Sequence, residues 1–184
     1  MRLTAVLTSH NRRDFTLACL HSFYRQQVPP SVVLNAVLVD DGSSDGTEEA
    51  VRHWFPEATV IRGSGDLFWA RGMALAERIA ASANPDYFLW LNDDVTLDRD
   101  AVRRLLAAEE TVGAAGCVVV GAVRDPSTAE VTYSGVRRRG FHPLRVDIVE
   151  PRSEPQPVEM FHGNVVLVSH GASRVIGPID GRFS

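Results

Sequence analysis

Two pairs of adjacent carboxylates, Asp40-Asp41 and Asp93-Asp94, each stand at the end of an apolar run, residues 32–39 and 87–91. Side-by-side acids repel each other unless a cation or hydrogen-bond donors compensate them. A hard divalent ion does so when it is held by one or two carboxylates and shares substrate phosphates. In open α/β sheets ligands bind beyond the carboxyl ends of the strands, so acids placed there face a site. The competing use of such acids is to cap a helix. The helix expected after the second pair has its own capping residue in Asp98, which leaves Asp93 and Asp94 without that task.

The elements that must position these acids alternate along the chain. Residues 3–8 read as a buried strand, and the polar turn Ser9-His10-Asn11-Arg12-Arg13 follows. A helix is predicted over 14–27, with Phe15, Leu17, Ala18, Leu20, Phe23 and Tyr24 as its apolar stripe and Pro29-Pro30 as its stop. After the strand at 32–39, Asp45 with Glu48 three residues on predicts a capping box for a helix reaching Phe55. A strand at 59–61, the loop Gly63-Ser64-Gly65-Asp66, a helix over 67–82 and the breaker Asn84-Pro85-Asp86 lead to the strand at 87–91. Strands alternating with helices imply a mainly parallel sheet covered on both faces, with these strand ends on one side. The second half changes character, with strands expected at 114–123, 131–139 and 165–168 and a short helix at 171–176. Turns are expected at 125–127 and 141–143, and the prolines at 151, 155 and 157 predict an exposed mobile loop over a site.

With 184 residues, 45% hydrophobic and 23% charged, the chain suits one soluble domain with a sizeable core. A net charge of -4 excludes the bulk electrostatic footprint of a nucleic-acid binder. The single basic cluster, Arg137-Arg138-Arg139, reads as a solvated strand edge. Cys19 and Cys117 are far apart in apolar company, so they read as core residues in a reducing compartment rather than metal ligands or a disulfide. Met1-Arg2 runs straight into strand-like residues without a signal region. The longest apolar run, 112–123, falls short of the ~20 residues a membrane span needs. A cytoplasmic chain without an integral anchor is expected.

A nucleotide-binding sheet must hold phosphates by one of a few devices. No G-x-x-x-x-G-K-[ST] is present, and the turn after the first strand, Thr8-Ser9-His10-Asn11-Arg12, has no glycine for a dinucleotide fingerprint. Gly63-Ser64-Gly65 follows a later strand and lacks the third glycine. Acids with a metal remain: Asp40 or Asp41 to accept from a base N–H or a ribose hydroxyl, and Asp94 to hold a cation against a diphosphate.

Taken in order, Thr8-Ser9-His10-Asn11-Arg12, Asp40-Asp41-Gly42-Ser43-Ser44-Asp45-Gly46-Thr47, Gly65-Asp66-Leu67-Phe68-Trp69-Ala70-Arg71-Gly72 and Leu91-Asn92-Asp93-Asp94-Val95 resemble the successive blocks of family-two, GT-A-fold, inverting glycosyltransferases. The likeness continues through Phe161-His162-Gly163-Asn164 and Ile176-Gly177-Pro178-Ile179-Asp180-Gly181-Arg182-Phe183, nearly the whole chain. Trp69 in the third block is a feature shared with rhamnosyltransferase-like members. The resemblance implies an α/β fold with a Rossmann-like, mainly parallel sheet and a smaller mixed or antiparallel part. It divides the single domain into a nucleotide-binding part, about 1–112, and an acceptor-side part, about 113–184.

The same resemblance implies roles. Thr8, Asn11, Arg12, Asp40, Asp41, Asp66, Arg71, Asn92 and Asp93 fall at nucleotide-binding positions, Asp94 at the metal-ligating position for Mn²⁺ or Mg²⁺, and Trp69, His162, Gly163 and Asn164 at the sugar and acceptor side. Asn92 replaces the first acid of the metal block, which argues against a two-carboxylate metal site. The partners implied are a nucleotide-diphosphate sugar and a glycan or lipid-linked acceptor, with peripheral association at the inner face of the cell membrane. Family members carry their catalytic base in an acidic motif shortly after a segment like 177–183, so the base is expected beyond Ser184, with weak or no turnover by these residues alone. Asp180 reads as a turn residue rather than a base. The alternatives are a sugar nucleotidyltransferase, which would want a richer basic phosphate loop than His10-Asn11-Arg12-Arg13, and a non-catalytic nucleotide-binding scaffold.

Overall fold

Leu3, Ala5, Val6 and Leu7 are all fully buried in the first strand, β1 (Arg2–Ser9), because it lies between two neighbours and is covered on both faces. That is why its sequence is a continuous apolar run rather than an alternating one. The computed structural model describes residues 1–113, 116–140 and 145–182. β1 is followed by α1 (Arg13–Tyr24), β2 (Val33–Asp40), α2 (Thr47–Trp54), β3 (Thr59–Arg62), α3 (Phe68–Ala81), β4 (Tyr87–Leu91) and α4 (Ala101–Val112). The second half contributes β5 (Val118–Val120), β6 (Val123–Arg124), β7 (Val131–Tyr133), β8 (Gly135–Arg138), β9 (Val146–Ile148), β10 (Met160–Phe161), β11 (Val165–Ser169) and α5 (His170–Ile176).

The central sheet has the order β3-β2-β1-β4-β11-β5. Its first four strands are parallel, so the ends of β1, β2 and β4 deliver Ser9, Asp40 and Asn92 to one edge. β11 runs antiparallel to β4, with Val165 opposite Leu91, so the residues leading into it, 162–164, meet that same edge. Helices cover both faces. One core joins Leu3, Ala5 and Leu7 with Leu20 and Phe23 of α1, Val51 of α2 and Leu105 of α4. The other joins Val6, Val37 and Val39 with Met73, Ala76 and Ala80 of α3. The small residues of α3 let it lie close to the sheet: a Cβ on Gly72 would come within 2.2 Å of Thr8 Oγ1. Two small antiparallel sheets, β10-β8-β9 and β6-β7, complete the second half.

Several expectations are corrected. Asp98 does not cap α4. That helix starts at Ala101, and its second amide, Val102 N–H, donates to Oε1 of Gln26 at 2.8 Å, while Gln26 Nε2 donates to the Asp98 carbonyl at 2.6 Å. A buried glutamine from beyond α1 therefore does the capping. The box predicted for α2 is not formed either, since Asp45 accepts from Thr47 N–H at 3.1 Å but Glu48 turns to Arg52 and Arg62. α1 ends at Tyr24 rather than 27, and its inward stripe is Thr16, Cys19, Leu20 and Phe23, with Phe15 61% exposed. The single strand expected at 131–139 is broken at Ser134, whose hydroxyl donates to the Val149 carbonyl, and the run 114–123 yields only the short β5 and β6. Residues 114 and 115 and the turn at 141–143 lie outside the described residues. Arg137 and Arg138 sit on β8, the middle strand of its sheet rather than an edge, and are solvent-exposed as expected. β9 and β10 are strands that the sequence pattern does not predict. Among the described residues, no helix is long and apolar enough to cross a membrane.

Candidate functional site

At the carboxyl edge of the sheet a pocket of about 310 Å³ is walled by the end of β1 with its turn (Thr8, Ser9, His10, Arg12), by Asp41, by Phe68 and Trp69 opening α3, and by Asn92, Asp93 and Asp94 after β4. The expected residues Thr8, Arg12, Asp41, Trp69, Asn92, Asp93 and Asp94 thus meet in one place.

The two acid pairs reach this edge in different states. Asp40 is 1% exposed and accepts from Ser43 N–H at 3.0 Å. Asp41 accepts three backbone amides: Gly65 N–H at 2.8 Å, Leu67 N–H at 2.9 Å and Phe68 N–H at 3.1 Å. α3 has no acid in its first turn and no side-chain cap of its own, so the Asp41 carboxylate caps it from β2 and meets the positive end of its dipole. This contact also holds Phe68 at a φ of 54°, a backbone conformation rare for a bulky residue.

The pair after β4 meets an arginine instead. Arg12 Nη1 donates to Asp94 Oδ2 at 2.8 Å and to Asp93 Oδ1 at 3.3 Å. Asp93 is 7% exposed, and its second oxygen, Oδ2, is buried without a hydrogen-bond partner. Burial pushes the Asp93 carboxyl above the usual carboxylate range, with the Ser9 hydroxyl and the Arg12 charge pulling the other way. Donating to Asp94 raises the Arg12 guanidinium above its ordinary value in turn. Beneath them the Cys19 thiol donates to the Asn92 carbonyl and is pushed far up by burial, which suits a core residue rather than a nucleophile.

Asn92, the departure from a two-acid block, is held through its side-chain oxygen and its backbone. Its amide oxygen accepts the Trp69 indole N–H at 2.9 Å, and its backbone N–H donates to the Asn164 carbonyl at 3.0 Å. Trp69 also lies over Gly163, where an added Cβ would stand 3.1 Å from the ring. The acid block, the opening of α3 and the start of β11 are therefore locked together through one indole.

The remaining expected residues lie around the pocket rather than on its wall. Asn11 ties the first turn to the second, with its N–H on Ser43 Oγ at 2.9 Å and its side-chain oxygen accepting Ser44 N–H at 2.8 Å. Asp66 is exposed and accepts the Ser64 hydroxyl. Arg71 folds back to the carbonyls of Leu67 and Asp66, over the Phe68 ring. His162 is held by the Ser134 carbonyl at 3.0 Å and by the edge of Tyr133. Asp180 forms a turn with Arg182, which depresses its carboxyl to about 2 and makes it a weak base. None of residues 151–157 lines the pocket. Three residues of the wall were not expected there: Phe68, 67% exposed at the mouth, His10, whose Nδ1 meets the Asp41 carbonyl at 2.6 Å, and Ser9, whose hydroxyl pairs with that of Thr16 at 2.8 Å. All three stand within the segments 8–12 and 65–72, next to Thr8, Asn11 and Trp69.

This sheet order, with acids at the edge and antiparallel strands added on one side, is the GT-A arrangement, and known proteins share it. The sequence profile described as Glycosyl transferase family 2 matches residues 4–171, so the chain belongs to that family. The mannosyltransferase PcManGT from Pyrobaculum calidifontis, solved with GDP-Man and Mn²⁺, superposes with a TM-score of 0.62 at 19% identity over 98% of this chain and 48% of its own. S. aureus TarS 1-349, solved with UDP, gives 0.56 at 17% identity over 65% of this chain and 35% of its own. The chain thus spans about half or less of the length of these structures, and at such identities the likeness shows the fold. No curated protein matches.

Proposed function

We propose that this domain takes part in transferring a sugar from a nucleotide-diphosphate donor to an acceptor hydroxyl with inversion. The observation that carries the reading is the Arg12–Asp93–Asp94 cluster at the pocket mouth, with Asp93 Oδ2 buried and bare. Two adjacent carboxylates share one half-exposed guanidinium there, and the bare Asp93 oxygen adds a cost on the order of 1–3 kcal/mol, so the pair favours more positive charge beside it.

A divalent ion fits this donor set. Among the described residues no cluster of three or more His, Cys, Asp or Glu could hold a metal ion, so substrate oxygens must complete the shell, as is usual for Mg²⁺ and Mn²⁺ at phosphates. Asp94, the more exposed of the pair, would hold the ion. When bound, it neutralises charge developing on the departing diphosphate. The solved mannosyltransferase with GDP-Man and Mn²⁺ supports this reading.

The chain's own residues supply the rest. Arg12 releases the acids and turns to the diphosphate, as a planar guanidinium suits phosphate oxygens. Thr8 and the Asp41 turn border the base and ribose, and Asp93 orients the ribose or the neighbouring loops. Arg71 swings from its backbone carbonyls to the nucleotide. Trp69, fixed by Asn92, and the segment 162–164 present the sugar and acceptor side. None of the carboxylates at the pocket suits deprotonation of an acceptor hydroxyl, since Asp93 and Asp94 face Arg12 and Asp41 is covered by amides; no base is assigned among them. A glycan or lipid-linked acceptor of cell-surface polysaccharide assembly, met at the cytoplasmic face of the membrane, completes the proposal.

Calorimetry with UDP, GDP and dTDP, each with Mn²⁺ and with EDTA, tests it. At least one nucleotide should bind, with affinity falling at least about tenfold on metal removal. A chain that binds none of the three would be a scaffold that keeps the fold alone.

A further inference from the structure

Asp40, Asp41, Asp93 and Glu77 are buried acids, and Glu77 lies away from the pocket. It projects from α3, is 3% exposed, and nothing proposed above uses it. Its two oxygens have separate partners. Oε1 accepts the indole N–H of Trp90 in β4 at 3.2 Å, and Oε2 accepts the backbone N–H of Ile179 at 2.6 Å. Both partners are donors, so only a side chain offering two acceptor oxygens satisfies both. Burial raises the Glu77 carboxyl and these two donors pull it back, so the contacts oppose the cost of burying it.

The consequence reaches the pocket along α3. Ile179 packs against the core between α3 and the sheet. Two residues on, Gly181 rests on Arg71, where an added Cβ would stand 3.4 Å from both Arg71 Cγ and Ala74 Cβ. Residues 177–182 thus run beside α3 from Glu77 towards its N-terminal end, where Phe68 and Trp69 open onto the pocket. They wall in the aliphatic stem of Arg71.

We propose that Glu77 is a positioning residue: it fastens residues 177–182 to α3 and β4 and thereby sets the Arg71 side chain for the nucleotide. The second half of that statement rests on the reading of Arg71 given under the proposed function; the first stands without it.

Glu77→Gln is close to isosteric yet keeps one acceptor oxygen, so it must set an N–H against either Trp90 or Ile179. Trp90→Phe removes one of those donors. In the double variant the glutamine oxygen is free for Ile179, with its amide N–H over a phenyl ring. Amide exchange followed by NMR on the full chain should show Ile179 and its neighbours exchanging about tenfold faster in Glu77→Gln, the strands of the central sheet unchanged, and protection regained in Glu77→Gln/Trp90→Phe. The nucleoside diphosphate that binds best in calorimetry should bind about three- to tenfold more weakly to Glu77→Gln and recover in the double variant. Unchanged exchange at 179, or faster exchange across the whole sheet without recovery, overturns the fastening role and leaves an ordinary core residue. Loosening without any change in affinity overturns the positioning role. If the wild-type chain binds no nucleoside diphosphate, the functional reading and the Arg71 role fall together, while the exchange arm still decides the fastening.

Discussion

Asp40-Asp41 and Asp93-Asp94 look alike in sequence and occupy equivalent places, the carboxyl ends of parallel strands, yet their surroundings compensate them in opposite ways. The β2 pair meets a tight turn and the loop before α3, and four backbone amides, of Ser43, Gly65, Leu67 and Phe68, point into it. The β4 pair meets the side chain of Arg12, which is half exposed, and one of its oxygens is left bare. Amides of a folded backbone cannot leave, whereas an arginine on a turn can. An acid pair at a strand end is therefore a structural clamp or a ligand site according to who supplies its donors, and the residue types do not say which.

Asp41→Ala should break the comparison most visibly. It strips three amides of a buried acceptor and removes the cap of α3, at a cost of about 3 kcal/mol. The thermal midpoint should fall on the order of 10 °C for a domain of this size. Nucleotide binding should weaken with it, because Phe68 and Trp69 lose their anchor. A midpoint within a degree or two of wild type would mean that the three amides do not depend on Asp41. Asp94→Ala is the opposite probe. Its side chain is 41% exposed and its partner is a half-exposed arginine, so stability should stay within about 0.5 kcal/mol. The Mn²⁺-dependent gain in nucleotide affinity, about tenfold or more, should vanish. If Asp93→Ala removes that gain and Asp94→Ala does not, the metal belongs to the other acid.

How much of this was legible in the sequence follows the range of each interaction. The buried strands β1, β2 and β4 announce themselves because burial on both faces demands unbroken apolar runs, and the acids that end them mark the site edge. The ordered blocks from Thr8 to Asn164 carried the family. Helix caps are illegible where the partner is distant: α4, expected to be capped by Asp98, has Val102 served by Gln26, and α3, for which the sequence offers no cap, is served by Asp41. The break at Ser134 depends on the Val149 carbonyl fifteen residues on, and β9 and β10, two or three exposed residues each, have no apolar period to read. At the candidate site, Thr8, Arg12, Trp69 and Asn92, named from separate blocks of the sequence, stand together at one edge. The sequence could not tell that Trp69 and Asn92 hold each other, or that Arg71 is folded back on its own helix.

Arg12→Gln tests the smallest but most pointed difference between the pairs. In the free protein Arg12 stands as the counter-charge to Asp93 and Asp94, the place a divalent ion must take. Replacing it should change stability by no more than about 1 kcal/mol, because a half-exposed ion pair contributes little. It should also leave two acids without a cation, so the chain alone should bind Mn²⁺ a few-fold more tightly, read as loss of free Mn²⁺ signal in an EPR titration. Nucleoside diphosphate affinity should move the other way, since the phosphate loses its guanidinium partner. The same substitution should do nothing to Asp40 and Asp41, whose donors are amides. Weaker Mn²⁺ binding by Arg12→Gln would show that the arginine helps to build the ion's site instead of competing for it, and the contrast between a fixed and an exchangeable counter-charge would not hold.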